Sequence, residues 1–354
     1  MKKKIRVGIL FGGRSGEHEV SLRSAASIIA AMDRSKYDLL PLAISKSGRW
    51  LPPSESARLL PSGLSMDRSG SRALMILPVP GSADRVDVVF PVLHGTFGED
   101  GTVQGLLELA GVAYVGAGVL GSAASMDKDV MKRLFRERGL PTPDHVAVLR
   151  SRLANRRRDL VESLVKQFGL PLFVKPANLG SSVGISKAHN RAELSRAIDL
   201  AAAFDRKIVV ERAIVGRELE CSVLGNDQPQ ASLPGEVIPS REFYDYRSKY
   251  LDETSRLIIP ARLKLALTRR VQHLAREAFL ACECCGMARV DFFLEEKSGR
   301  VLVNEVNTIP GFTSISMYPK LWEASGLSYP HLIDRLIQLA LERHAEKVRT
   351  RYSI

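Results

Sequence analysis

The sequence predicts an α/β (α+β) chain of more than one domain. Three observations predict it: a strand, tight turn and helix at residues 5–32, apolar runs alternating with helical patterns thereafter, and a length of 354 residues, which at about 150 per domain suggests two or three domains. Hydrophobic residues make up 45% and charged residues 25%, ordinary usage for a globular chain, so neither a disordered nor a fibrous protein fits. No apolar stretch approaches the roughly 18 residues that a membrane-spanning helix needs. The first residues mimic a signal peptide, but the run 5–11 is short, contains Arg6 and ends in Gly12-Gly13 without a cleavage pattern. It reads as a first strand, which leaves the protein in the cytoplasm.

The elements follow in order. A helix is expected over 21–32, strands over 38–44 and 86–91, a mostly irregular Ser/Pro/Gly-rich stretch over 45–80, and a short strand at 113–115. Val130, Met131, Leu134 and Phe135 share one face of a helix at 127–138, stopped by Gly139 and Pro141, and a second domain begins there. It continues through a helix ending at Phe168, a strand at 172–175, a Gly/Ser loop at 178–184, a helix at 192–204 and a strand at 207–211. A third region from Arg217 mixes strands with a helix over 263–282 and closes on the helix of Leu332, Ile333, Leu336 and Ile337.

Lys and Arg number 51 against 39 Asp and Glu, a net charge of +12. Such a balance invites a polyanionic partner, but the basic residues concentrate at 150–158 and 343–351 with no interleaved aromatics and no nucleic-acid module. They read as solvated faces, and no nucleic-acid or membrane partner is expected. Of the four cysteines, Cys221 stands alone and Cys282, Cys284 and Cys285 lack a second pair to complete a zinc site, so reduced thiols are expected.

Gly116-Ala117-Gly118-Val119-Leu120-Gly121 matches a dinucleotide fingerprint, but the strand before it is too short and no acidic residue follows about 20 positions later. These glycines read as turn residues. Gly180-Ser181-Ser182-Val183-Gly184, after Val174-Lys175-Pro176, offers backbone amides, hydroxyls and a lysine to a phosphate, although without the ending of a P-loop. The strongest constellation is a hairpin, 289–294 and 301–307. Alternation places Arg289 with Asp291 on one face of the first strand and Glu305 with Asn307 on one face of the second. A three-residue loop at 297–299, with Gly299 left-handed, sets Asp291 opposite Glu305. Two carboxylates about 5 Å apart repel, and magnesium is the natural counter-charge. A structural ion-pair cluster centred on Arg289 is the competing account.

The order of motifs resembles the ATP-grasp ligases, and among them the D-alanine–D-alanine ligases. It runs through FGGRSGEHEVS at 11–21, HGTFGEDGT at 94–102, SMDK at 125–128, residues 173–184, 211–218, FYDYRSKY at 243–250, 287–291 and 304–316, nearly the whole chain. The resemblance implies an ATP-grasp fold with an N-terminal Rossmann-like parallel-sheet domain at 1–125, a central ATP-grasp subdomain at 126–214 and a C-terminal one at 215–354. It implies ligation of two D-alanines through an acyl-phosphate, with ATP and two Mg²⁺ ions, or Mn²⁺, by a homodimer. By position, Lys128 and Lys175 would bind ATP phosphates, Glu211 the adenine amine and Glu218 the ribose. Asp291, Glu305 and Asn307 would hold the metals. Glu17 would take the first ammonium, Ser316 the second carboxylate and Arg289 the acyl-phosphate and the oxyanion, with His94 and Gly311 on the substrate side. Ser181, Tyr250 and Glu17 would form a hydrogen-bonded set fixing a lid at 240–255. Glu17 as a first-turn acid, His94 as a loop histidine and Tyr250 as a packed aromatic are the plain alternatives. D-lactate or D-serine as second substrate, a non-catalytic nucleotide sensor, and a basic nucleic-acid binder with a decayed site are the rival functions.

Overall fold

A computed structural model describes residues 3–61, 86–153, 157–180, 182–238 and 256–353, and among them the strands form three sheets. The first comprises β1 (Ile5–Gly12), β2 (Tyr37–Ile44), β3 (Trp50–Leu51), β4 (Val88–Pro91) and β5 (Ala113–Tyr114), in the order β3-β2-β1-β4-β5. β1, β2, β4 and β5 run parallel, and β3 turns back antiparallel to β2. Helices α1 (His18–Ala31), α2 (Pro53–Arg58) and α3 (Thr102–Leu109) lie along this part of the chain. Strands covered on both faces need apolar residues throughout rather than alternation, and β1 is buried continuously from Val7 to Gly12. The chain goes from β1 to one side and returns on the other at β4, so a ligand crevice forms beyond the carboxyl ends of these two strands. β3 and α2 interrupt the stretch expected to be irregular; its residues 62–80 lie outside the described ones.

Helices α4 (Val119–Met126) and α5 (Lys128–Glu137) lead to an antiparallel second sheet, order β6-β9-β7-β8, made of β6 (His145–Leu149), β7 (Leu172–Pro176), β8 (Ser186–Ala188) and β9 (Lys207–Arg212). Helices α6 (Arg157–Phe168) and α7 (Arg191–Phe204) accompany it. Asp127 caps α5, its carboxylate accepting from the amides of Asp129 at 3.1 Å and Val130 at 3.0 Å. The cap fixes the helix so that Met131 and Phe135 are fully buried while Val130 and Leu134 are half-buried. Lys128 and Lys132 share the buried face.

The third sheet, antiparallel, runs β13-β12-β10-β14-β15 with β11 on β10; it contains β10 (Gly216–Gly225), β11 (Gln230–Ala231), β12 (Gly235–Ile238), β13 (Arg256–Ile258), β14 (Gly286–Glu295) and β15 (Val301–Asn307). Helices α8 (Leu265–Ala281), α9 (Met317–Ala324) and α10 (Tyr329–Val348) complete the chain. The four cysteines are free thiols, and burial pushes those of Cys221 and Cys282 up to about 12. No described helix is long and apolar enough to cross a membrane. The glycines of 116–121 serve packing: Gly116 offers its carbonyl to Arg343, and a Cβ on Gly121 would lie 2.5 Å from the Glu283 carbonyl oxygen.

Helix α10, expected with the third region, packs on β4, β5 and α1 as well as on β10 and β14. Its Leu332, Ile333, Leu336 and Ile337 share one core with Val7, Ile9, Val88 and Phe90 of the parallel sheet and with Leu224 and Met287 of the third. Leu336→Ala should cost about 2–5 kcal/mol of stability, as deletions from sealed cores do. Urea unfolding measures it, and a loss under about 0.5 kcal/mol would mean that α10 is only a surface cover.

Candidate active site

The β14-β15 hairpin does set Asp291 opposite Glu305 and Arg289 opposite Asn307. The route differs from the expected one. The Gly299 amide bonds to the Glu295 carbonyl at 2.8 Å and the Glu295 amide to Arg300 at 2.9 Å, so the loop has four residues, 296–299, and the strands start one register away, with Leu294 opposite Val301. A bulge at Asn304 absorbs the extra residue and restores the facing carboxylates. Gly299 is left-handed as expected, at φ +67°.

Arg289 is the charge centre of this face. Its guanidinium donates to both Asp291 oxygens at 2.7 Å and lies 3.0 Å from a Glu220 oxygen, Glu220 being Asp291's partner on β10. The Asn307 amide also donates to Asp291, at 3.0 Å. Burial alone would lower the Arg289 pKa, but Asp291, Glu220 and Glu305 raise it well above the ordinary value. Among the described residues no group of three or more His, Cys, Asp and Glu is placed to hold a metal ion. The donor chemistry nevertheless fits a hard cation: Asp291, Glu305 and Asn307 offer oxygens, and the neighbouring Asn304 Oδ1 is buried without a hydrogen-bond partner among the described residues.

Asp291, Asn304, Glu305 and Glu220 border a cleft of about 790 Å³ between the second and third sheets, lined also by Phe173, Lys175, Glu211, Ile214, Glu218 and Phe293. Glu211, nearly fully buried, contacts Lys175 and lies 3.0 Å from the Lys132 ammonium. Burial pushes its carboxyl up, but the two lysines outweigh that and hold it at about 2. Lys175 also lies over the Phe173 ring, 5.6 Å from its centroid. A second cleft of about 540 Å³ contains Glu99, Lys128, Gly180 and Asn307, and shares Ser182, Ile185 and Glu305 with the first. The Lys128 ammonium donates to the Leu179 carbonyl at 2.7 Å, which ties α5 to the Gly/Ser loop.

The crevice of the parallel sheet opens here. Glu17 begins α1, buried; Gly95 has φ +75°, and a Cβ there would lie 2.7 Å from the Glu17 carboxylate. Gly180 approaches Glu17 and Glu99 from the second sheet, so three distant segments meet. His94 is committed within the protein: Nδ1 bonds to the Ile309 carbonyl at 3.0 Å and Nε2 to the Ser24 hydroxyl at 3.1 Å. Burial lowers its pKa, and the pattern fits a neutral ring that donates at Nδ1 and accepts at Nε2. Ser316 bonds to Thr313 and sits 3.2 Å from the Cβ position of Gly311, shaping the turn after β15. Ser181, Tyr250 and the segment 240–255 lie outside the described residues.

Comparison with known proteins decides the family. Residues 6–117 match the family model for the D-ala D-ala ligase N-terminus and residues 134–338 the one for its C-terminus. The chain belongs to the D-alanine–D-alanine ligase family. It is 55% identical to the D-alanine–D-alanine ligase of Solibacter usitatus over 99% of each chain, and 50% identical to that of Natranaerobius thermophilus over 98% of each. Among solved structures, the D-alanine-D-alanine ligase from Coxiella burnetii superposes with a TM-score of 0.80 at 38% identity over 98% of each chain. The VanG D-Ala:D-Ser ligase of Enterococcus faecalis gives 0.81 at 37%, over 96% of this chain and 100% of that one. The three-sheet architecture is the α/β ATP-grasp fold of D-alanine–D-alanine ligases.

Three residues at this ligase-family site escaped sequence reasoning. Glu220 is visible only through its pairing with Asp291. Lys132 repeats Lys128 one helical turn on, on the face of Met131 and Phe135, where a lysine is out of place unless paired. Glu99 sits inside the HGTFGEDGT motif; its carboxylate accepts from the amides of Gly95 at 2.7 Å and Ile309 at 3.3 Å, and burial with nearby Glu17 pushes it up to about 8. Arg289→Gln should cost about 3–5 kcal/mol in metal-free protein, because it removes a guanidinium counter-charge from buried Glu220 and half-buried Asp291. Urea unfolding in chelator reads it; unchanged stability would show that the acids do not depend on Arg289.

Proposed function

We propose that this chain joins two D-alanines into D-alanyl-D-alanine, driven by ATP through an acyl-phosphate, to supply peptidoglycan precursors. The carrying observation is the meeting of the two clefts at Glu305 and Ser182. A nucleotide in the larger cleft would point its terminal phosphate at a carboxylate held in the smaller one. In this reading Phe173, Ile214 and Phe293 cover the purine, Glu211 accepts from its amine and Glu218 holds the ribose. Lys175 and Lys128 draw the phosphates from the two sides of the Gly/Ser loop. Asp291, Glu305 and Asn307 would hold two Mg²⁺ ions, or Mn²⁺, which when bound neutralise phosphate charge.

Glu17 takes the first ammonium, and Ser316 with the Gly311 turn takes the second carboxylate. Arg289, oriented by Asp291 and Glu220, presents fixed positive charge to the oxyanion of the tetrahedral intermediate, where a preorganised donor acts most strongly. Glu99 is suited to take the proton that the incoming ammonium must lose, its pKa of about 8 lying near the operating pH. His94 supports the second side by holding Ile309. Family membership carries two further inferences, a cytoplasmic location and a homodimer.

D-serine as the second substrate is the rival reading, since a D-Ala:D-Ser ligase superposes as well as a D-alanine-D-alanine ligase does. The full-length relatives at 55% and 50% identity favour D-alanine. Phosphate release from ATP with D-alanine, D-serine and D-lactate offered in turn tests both; release greatest with D-serine would reverse the choice.

Glu305→Gln should lower D-alanine-dependent phosphate release by about 1,000-fold, the scale of losing several kcal/mol of charge stabilisation. Near-normal turnover at ordinary magnesium would sink the metal assignment. For wild type, turnover should climb with pH to about 8 as Glu99 ionises, and Glu99→Gln should flatten that limb. Stability should run the other way. The folded protein keeps a proton that the unfolded chain releases near 4.5, so this contribution is complete below 4.5 and lost as pH rises through about 8. Thermal melts of wild type and Glu99→Gln across pH check the sign.

A further inference from the structure

Lys132 has no part in the reading above, yet it is a fully buried ammonium at the seam of the nucleotide cleft. It lies 3.0 Å from Glu211 on β9 and donates to the carbonyl of Asn304, the bulge residue of β15, at 3.1 Å. Glu211 therefore has two lysines, Lys132 and Lys175. They differ in what else they face. Lys132 is enclosed among α5, β9 and β15, whereas Lys175 lines the cleft beside Ser182 and Ile185. His145, across the ladder from Glu211 on β6, is buried and bonded to Arg136, and burial favours its neutral form.

A phosphate entering the cleft has to draw Lys175 away from the carboxylate that it contacts here. Were Lys175 the sole counter-charge, nucleotide binding would strand Glu211 as a buried, unpaired anion, a costly state. We propose that Lys132 is a positioning residue that stays with Glu211 when ATP binds, so that Lys175 can be handed from Glu211 to the phosphates while Glu211 stays ionised and fixed for the purine amine. The proposal rests on the ATP-binding reading of this cleft. Through the Asn304 carbonyl the same ammonium braces the bulge that sets Glu305 opposite Asp291.

The test compares ATP with adenosine, which has no phosphate and makes no demand on Lys175. Lys132→Met should weaken ATP binding by about 30-fold or more while adenosine affinity falls far less. Lys132→Arg, which keeps the charge, should recover most of the ATP affinity, and the KM for D-alanine should hold within about twofold if the loss lies in nucleotide binding. In a Glu211→Gln background there is no anion to strand, so adding Lys132→Met should change ATP affinity by less than about threefold. This double variant also keeps the test open if Lys132→Met alone folds poorly, because it buries no unpaired charge. Equal loss of ATP and adenosine, or a full Lys132→Met penalty in the Glu211→Gln background, would overturn the handover and leave Lys132 a packing residue. Wild-type protein that binds no ATP would sink the nucleotide reading itself, a separate result.

Discussion

The site depends on charge compensation across a sheet face that carries more acid than an apolar environment tolerates. Glu220, Asp291 and Glu305 come together because β10, β14 and β15 are neighbours, and the guanidinium of Arg289 stands among them. A guanidinium suits this better than an ammonium: it keeps its charge when buried and grips a carboxylate in two places. The cluster read from sequence as either a metal site or an ion pair is thus an ion pair built from metal-type ligands.

Much of this was legible in the chain. Alternation within 289–294 and 301–307 sufficed to put Arg289, Asp291, Glu305 and Asn307 on a shared face, because strand periodicity is insensitive to how the turn is made. A loop one residue longer than expected and a bulge at Asn304 cancel, and neither leaves a composition signal. The glycines of 116–121 read as turn residues, but Gly121 lies within helix α4, packed against the chain after α8, where a side chain would collide with backbone.

What sequence hid was long-range. Lys132 is four residues from Lys128, and nothing local says that one lines a cleft while the other is sealed against Glu211; that is decided by β9 and β15 folding over α5. Glu99 lies within the HGTFGEDGT motif, but its raised pKa is not legible there, because the shift comes from burial and from Glu17, 82 positions away along the chain. His94 shows the converse. Its position suggested substrate, and tertiary contacts spend both ring nitrogens on Ser24 and Ile309.

The docking of α10 beneath the parallel sheet has a consequence for biogenesis. β1 and β4 leave the ribosome with their sheet's inner face lacking Leu332, Ile333, Leu336 and Ile337, which are made more than 200 residues later. Such sequence-distant closure is slow and leaves apolar surface open meanwhile. The first sheet to be synthesised is therefore among the last to be sealed, and vectorial folding from the amino terminus stops short of a finished domain. The second sheet, whose core draws on residues 146–210 alone, has no such debt and is free to fold first.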